Sequence, residues 1–194
     1  ETAQVTTYFR MGTNLTLGTD WVRSGSMHMM RELACADYLS QNFYGRYFSA
    51  LTLWKMVTVN AATAQVVSSR IGTLQRGRVA DIAIYRRKVM DPFRSLITSD
   101  PQDVALTMRA GRVLQGDPAV AGALAPSCES IDICGTMRAV CLSGEGTTLA
   151  ALRASVSVPS MVRAGRNGTP MAAACRRTAR AKFVHSHTST VPDS

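Results

Sequence analysis

I-G-T-L-Q-R-G-R-V-A-D-I-A-I-Y runs from Ile71 to Tyr85, and the hydrophobic period changes inside it. Upstream, apolar residues recur every three or four positions, the spacing of one helix face. Downstream they form short runs between turn residues, which reads as strands. The chain therefore reads as mixed α/β, helices first and a small sheet layer after. Gly72 and Gly77 suit turns where φ is positive. Asp81 stands within a run that predicts a strand over 79–85, just before I-A-I-Y, where a turn carboxylate satisfies backbone donors.

Working back from Ile71, Trp54, Val57, Ala61 and Ala64 make an expected buried stripe, on a helix that Ser49 can cap. Gly45 breaks the chain before it. An earlier helix is expected over 27–41, with Met30, Leu33, Ala34 and Tyr38 as its apolar face and Ser24 or Ser26 as its cap. Before that, Leu15-Thr16-Leu17 alternates, and residues 13–20 read as a buried strand. L-G-T-D-W (Leu17 to Trp21) then sets Asp20 where the strand ends. Asn14-Leu15-Thr16 spells a glycosylation sequon, but in a segment expected to be buried.

Working forward, Asp91-Pro92 and Asp100-Pro101 are turn formers. Val104 to Met108 and Arg112 to Leu114 flank Ala110-Gly111 and read as a β-hairpin. After Asp117 the pattern thins. Ala119 to Ala125 is small and apolar without clear period, and 149–154 reads as a short helix. Beyond Val162 the chain is mostly Ala, Arg, Gly and Thr, with little to bury.

The net charge of +9 is uneven: from Ala151 onward seven basic residues face one acid, and before it fifteen face twelve. A basic segment of this kind suits nucleic acid or another acidic partner. Yet it holds one aromatic, Phe183, and no helical period, which reads against nucleic acid. No run of about 18 apolar residues indicates a membrane span. Cys35 reads as a small buried apolar residue. Cys128, Cys134, Cys141 and Cys175 lack the C-x-x-C pairs of a zinc ribbon. They could form two disulfides in any of three pairings, pointing to a periplasmic or secreted protein, and otherwise to a cytoplasmic one.

Four motifs in order, L-G-T-D-W…S-G-S, M-V-T-V-N-A-A, I-G-T-L-Q-R-G-R-V-A-D-I-A-I-Y and D-V-A-L-T-M-R-A-G-R-V-L-Q-G-D, resemble the C-terminal part of the metal-dependent amidohydrolases. The likeness covers Leu15 to Asp117, with a fainter one through Asp132 to Leu142. It implies the last strand and closing helices of a (β/α)8 TIM-like barrel over 1–70. It implies the C-terminal share of a composite β-sandwich over 71–117, and leaves a loop-rich, cysteine-containing tail over 118–194. Gly72, Gly77 and Asp81 would be structural.

The resemblance also gives Asp20 a role. A strand-end aspartate of this family binds or faces a divalent metal, zinc or else iron, and handles the proton of the attacking water. The implied reaction is hydrolysis of a carbon–nitrogen bond other than a peptide bond, in a small amide, cyclic amide or ring amidine. Trp21 and His28 would border the substrate. The family's His-x-His pair belongs on an earlier strand, and this chain has almost nothing before Asp20. His185-Ser186-His187 spells the pair only in the polar tail. The expectation is a piece of a longer enzyme, inactive without the rest of its barrel. A non-catalytic basic module acting through 151–194 is the alternative.

Overall fold

The computed structural model describes residues 4–19, 28–133 and 135–155. They fall into two compact units, one ending at Thr73 and one beginning at Leu74.

The first unit is helical: α1 (Val5–Arg10), α2 (Met29–Asn42), α3 (Ala50–Val57) and α4 (Val59–Ala64). As the sequence predicts, Ser49 caps α3, its hydroxyl accepting the Thr52 N–H at 3.1 Å. The buried face of α3, however, is Ala50, Leu53 and Met56. Leu53 is only 1% exposed and Met56 3%, and burying each contributes roughly 1.5–3 kcal/mol. The expected stripe is displaced: Trp54, Val57 and Ala61 are half-buried and Ala64 is exposed, while Ala62 is buried. The cause is Thr58, whose φ of −123° and ψ of −97° leave the helical region and reset the phase between α3 and α4.

The face of α2 is also turned. Leu33 and Ser40 are buried, whereas Ala34 and Tyr38 are exposed. Ser40 can be buried because its Oγ donates to the Phe48 carbonyl at 3.1 Å and accepts the Phe48 N–H at 2.9 Å. Hydrophobic periodicity discards a serine, so it misplaces the face. Phe48 stands edge-on to Phe9, Tyr44 and Tyr47, which brings α1 into this small core. The helix α1 precedes the segment 13–20 that reads as a strand.

Residues 13–20 read as a strand, but 13–19, the part that is described, carry no ladder among the described residues. A strand needs a neighbouring strand to pair with, and this unit is otherwise helical among the described residues.

The second unit is built on an antiparallel sheet of β1 (Ile82–Tyr85), β2 (Val104–Arg109), β3 (Arg112–Gly116), β4 (Glu129–Ile133) and β5 (Thr136–Val140). Its order is β1-β2-β3-β5-β4. The β2–β3 hairpin turns at Ala110-Gly111, both left-handed at φ 50° and 79°, the pairing a tight two-residue turn requires. Strand β1 begins later than expected because Asp81 N–H bonds back to the Val79 carbonyl at 2.9 Å in a turn. Asp91-Pro92 is a helix start: the Asp91 carboxylate accepts the Phe93 and Arg94 N–H groups at the head of α5 (Pro92–Ile97).

Beyond Asp117, residues read as loop-rich form α6 (Pro118–Leu124), β4 and β5, and the short helix expected over 149–154 is α7 (Leu149–Ser155). Strand β5 joins β3 through Gln115↔Val140 and Gly116↔Ala139, so the sheet runs on past residue 117. The residues of α6 show no clear period because all of them face out except one, Ala121, which is 0% exposed. It packs with Leu106, Val113, Ala139 and Cys141. Cys128 and Cys141 flank the β4–β5 hairpin and are joined by a disulfide. Cys134 and Cys175 lie outside the described residues.

Among the described residues of this unit one charge is buried. Arg138 on β5 is 0% exposed. It is ion-paired with Asp117, which also accepts from Arg86 at 2.7 Å. The Nε and Nη2 of Arg138 have no hydrogen-bond partner. Among the described residues no helix is long and apolar enough to cross a membrane.

Candidate functional site

Asp20 and Trp21, the residues on which the implied chemistry rests, lie outside the described residues, as do Ser24, Ser26, His185 and His187. The segment leading to Asp20 is described, and its anchorage is specific. At the end of α3 the Met56 carbonyl accepts the Leu17 N–H at 3.3 Å. Carbonyls of a last helical turn lack helical partners, so the break at Thr58 supplies an acceptor there. One turn on, Asn60 Nδ2 donates to the Leu15 carbonyl at 3.0 Å. Asn14 Nδ2 donates in return to the Asn60 carbonyl at 3.0 Å. Asn14 itself is exposed, against the expectation of a buried segment.

The same helical junction explains the glycine turn. Gly72 has φ +92°, and a Cβ there would stand 2.6 Å from the Ala62 Cβ and 3.5 Å from the Thr58 carbonyl oxygen. I-G-T therefore lies directly against T-V-N-A-A, so two motifs distant in sequence share one contact. Gly77 is also left-handed, at φ +83°, but in open space. The Asp81 carboxylate accepts the Ala110 N–H at 2.8 Å.

His28 is the N-cap of α2, and its Nδ1 accepts the Arg31 N–H at 3.4 Å. It is half-buried. The cap expected at Ser24 or Ser26, where hydroxyls dominate, falls instead to an imidazole, whose ring nitrogen can accept an N–H as a hydroxyl does. Cys35 is the free thiol among the described residues. Burial, and then the charge of Glu32, push its pKa up, away from the thiolate a nucleophile needs.

Among the described residues no three His, Cys, Asp or Glu side chains gather as metal ligands. The described residues therefore do not by themselves make a metal centre. A cavity of about 350 Å³ opens in the second unit beside Met108, Val113, Leu124 and Cys141. Its charged lining is engaged elsewhere: Glu145 pairs with Arg109, and Arg112 donates to the Gly144 carbonyl. It holds no paired acid and base.

Residues 2–115 match the amidohydrolase family. The chain belongs to that family. No curated protein matches it. Among solved structures it is similar to a triazine hydrolase variant, at 27% identity and a TM-score of 0.48. The likeness covers 58% of this chain and 27% of that one, so the chain spans about a quarter of the length of the structure it matches.

Proposed function

We propose that this chain is part of a metal-dependent hydrolase acting on carbon–nitrogen bonds other than peptide bonds, in an amide, cyclic amide or ring amidine. The observation that carries this is the family match over residues 2–115, within which L-G-T-D-W supplies Asp20. On this reading 1–70 holds the last strand and closing helices of a TIM-like barrel, and 71–117 belongs to a small β-sandwich whose sheet β5 and β4 extend. Asp20 is the catalytic carboxylate. It orients the attacking water, takes its proton and passes that proton to the leaving nitrogen. Trp21 and His28 border the small-molecule substrate. The divalent metal, zinc or iron, is held chiefly by histidines of the upstream barrel, with Asp20 binding or facing it. This chain alone is inactive for want of those histidines.

The test has two parts. In the whole enzyme, Asp20→Asn is expected to lower kcat by about 10²–10⁴-fold, and unchanged turnover overturns the assignment. On the isolated chain, elemental analysis after gel filtration is expected to find no stoichiometric metal. Near-stoichiometric zinc or iron on a monodisperse species overturns the dependence on upstream ligands. The basic-module alternative draws on 151–194, of which the described residues include one basic side chain, Arg153.

A further inference from the structure

We propose that the Cys128–Cys141 disulfide is a redox-sensitive clasp, whose reduction by a dithiol loosens the open end of the β4–β5 hairpin and releases α7. The inference is independent of the role given to Asp20. Glu129↔Val140 is the outermost rung of the β4–β5 ladder, and the two cysteines are the next residue outward on each strand. The bond therefore stands where a further rung would. The two strands are not held alike. β5 has anchors of its own: it pairs with β3, the Cys141 N–H donates to the Leu114 carbonyl at 2.8 Å, and Arg138 is ion-paired with Asp117. β4 is an edge strand that pairs with β5 alone among the described residues. At its first residue the Glu129 carboxylate accepts the Leu149 N–H at 2.7 Å, at the head of α7. The seat of α7 thus depends on a strand end that the disulfide fixes one residue away.

The bond is within reach of a small thiol. Cys141 is 5% exposed, but it lines the cavity of about 350 Å³. Cys128 is half-buried. A thiolate of the dithiol attacks the Cys141 sulfur, forms a mixed disulfide and expels Cys128 as a thiolate. Cys128 is the better leaving group, because apolar surroundings disfavour a thiolate at Cys141. The second thiol of the reagent then displaces Cys141. Two electrons pass to the protein, the reagent's two thiol protons end on the two cysteines, and the reagent leaves as its own disulfide. Both products have a place to go. The carbonyl oxygen of Ala125, the C-cap of α6, stands 2.8 Å from Cys128 Sγ. The oxidised sulfur has no proton to offer it, whereas a thiol does. Reduced Cys128 therefore finds its partner at the end of α6 and not on β5. Reduced Cys141 is a small apolar residue in an apolar core, so β5 stays seated.

The experiment uses the full chain, purified without reductant. Peptide mapping after alkylation is expected to find Cys128 bonded to Cys141. Dithiothreitol without denaturant should convert both to alkylatable thiols and speed exchange of the Leu149 amide by about 10- to 100-fold. The Gly111 amide, which donates to the Ala80 carbonyl in the β2–β3 turn, should keep its oxidised rate. Removing the reductant and re-oxidising should restore Leu149 protection. The double variant Cys128→Ser, Cys141→Ala should show fast Leu149 exchange from the outset and no response to dithiothreitol. The wild-type reduction series decides the matter even where that variant does not fold. A bond that resists dithiothreitol until Gly111 also loses protection is a passive staple, and overturns the proposal. So does reduction that leaves Leu149 exchange unchanged, and so does a chain purified without reductant in which the two cysteines are unbonded.

Discussion

The Asp81 carboxylate accepts the backbone N–H of Ala110 at 2.8 Å across 29 residues of chain. Beside it the Gly111 N–H donates to the Ala80 carbonyl at 3.0 Å. The segment that ends the glycine turns therefore closes the tip of the β2–β3 hairpin. Asp81→Ala removes the acceptor and is expected to cost about 1 kcal/mol. Asp81→Asn, which keeps an oxygen, should cost less. Amide exchange at Ala110 reads the difference. Equal protection in the wild type and Asp81→Ala would show that the bond does not hold the hairpin.

Gly72 and Gly77 share a left-handed backbone but differ in their surroundings. Gly77→Ala meets only the conformational penalty, about 1–2 kcal/mol. Gly72→Ala meets that penalty and also drives a methyl against Ala62, which adds about 1–3 kcal/mol of overpacking. Denaturant titration should rank Gly72→Ala clearly below Gly77→Ala. A double variant Gly72→Ala, Ala62→Gly should recover the overpacking part alone.

Arg138 and Asp117 form a pair in which the arginine is fully buried. Removing Asp117 leaves that guanidinium without its carboxylate, so Asp117→Ala is expected to cost about 3–5 kcal/mol. Arg138→Met replaces the charge with a flexible apolar chain of similar length. It should be close to neutral, because two of the guanidinium nitrogens have no partner to lose. Thermal melts of both variants decide this, and a large loss in Arg138→Met would contradict it.

Asp103 sets a pH dependence. Burial pushes its carboxyl up. The Asp100 N–H at 2.8 Å, the Lys88 ammonium and the charge of Arg86 outweigh that effect and leave it below its ordinary 3.8. A carboxyl with a lower pKa folded than unfolded binds fewer protons when folded. Its contribution is thus fully present above the ordinary value and is lost as pH falls through the folded one. Lys88→Met should flatten the acid limb of the stability profile below about pH 4, while leaving its shape near neutrality unchanged.

Some of this was legible locally. The change of period at Ile71, the Ser49 cap and the Ala110-Gly111 hairpin each depend on residues within a few positions of one another, and the structure has all three. Helix 149–154 appears as α7 for the same reason. The family was legible because several motifs stood in order, although each alone is weak. Other features were not legible, because apolar periodicity registers neither a buried polar side chain nor a break in backbone angles. The buried side of α2 turns on Ser40 meeting Phe48. The phase of α4 turns on a break at Thr58.

The sequence by itself determined where helix gives way to sheet, the turn at Ala110-Gly111, and the family to which residues 2–115 belong. Tertiary structure alone decided that β5 lies between β3 and β4, that Cys128 meets Cys141, and that Asn60 meets the Leu15 carbonyl. Periodicity and caps are written over one or two turns of chain. Sheet order, cysteine pairing and a side chain's choice of a backbone carbonyl 45 residues away follow from which surfaces pack together, and no local window contains both partners.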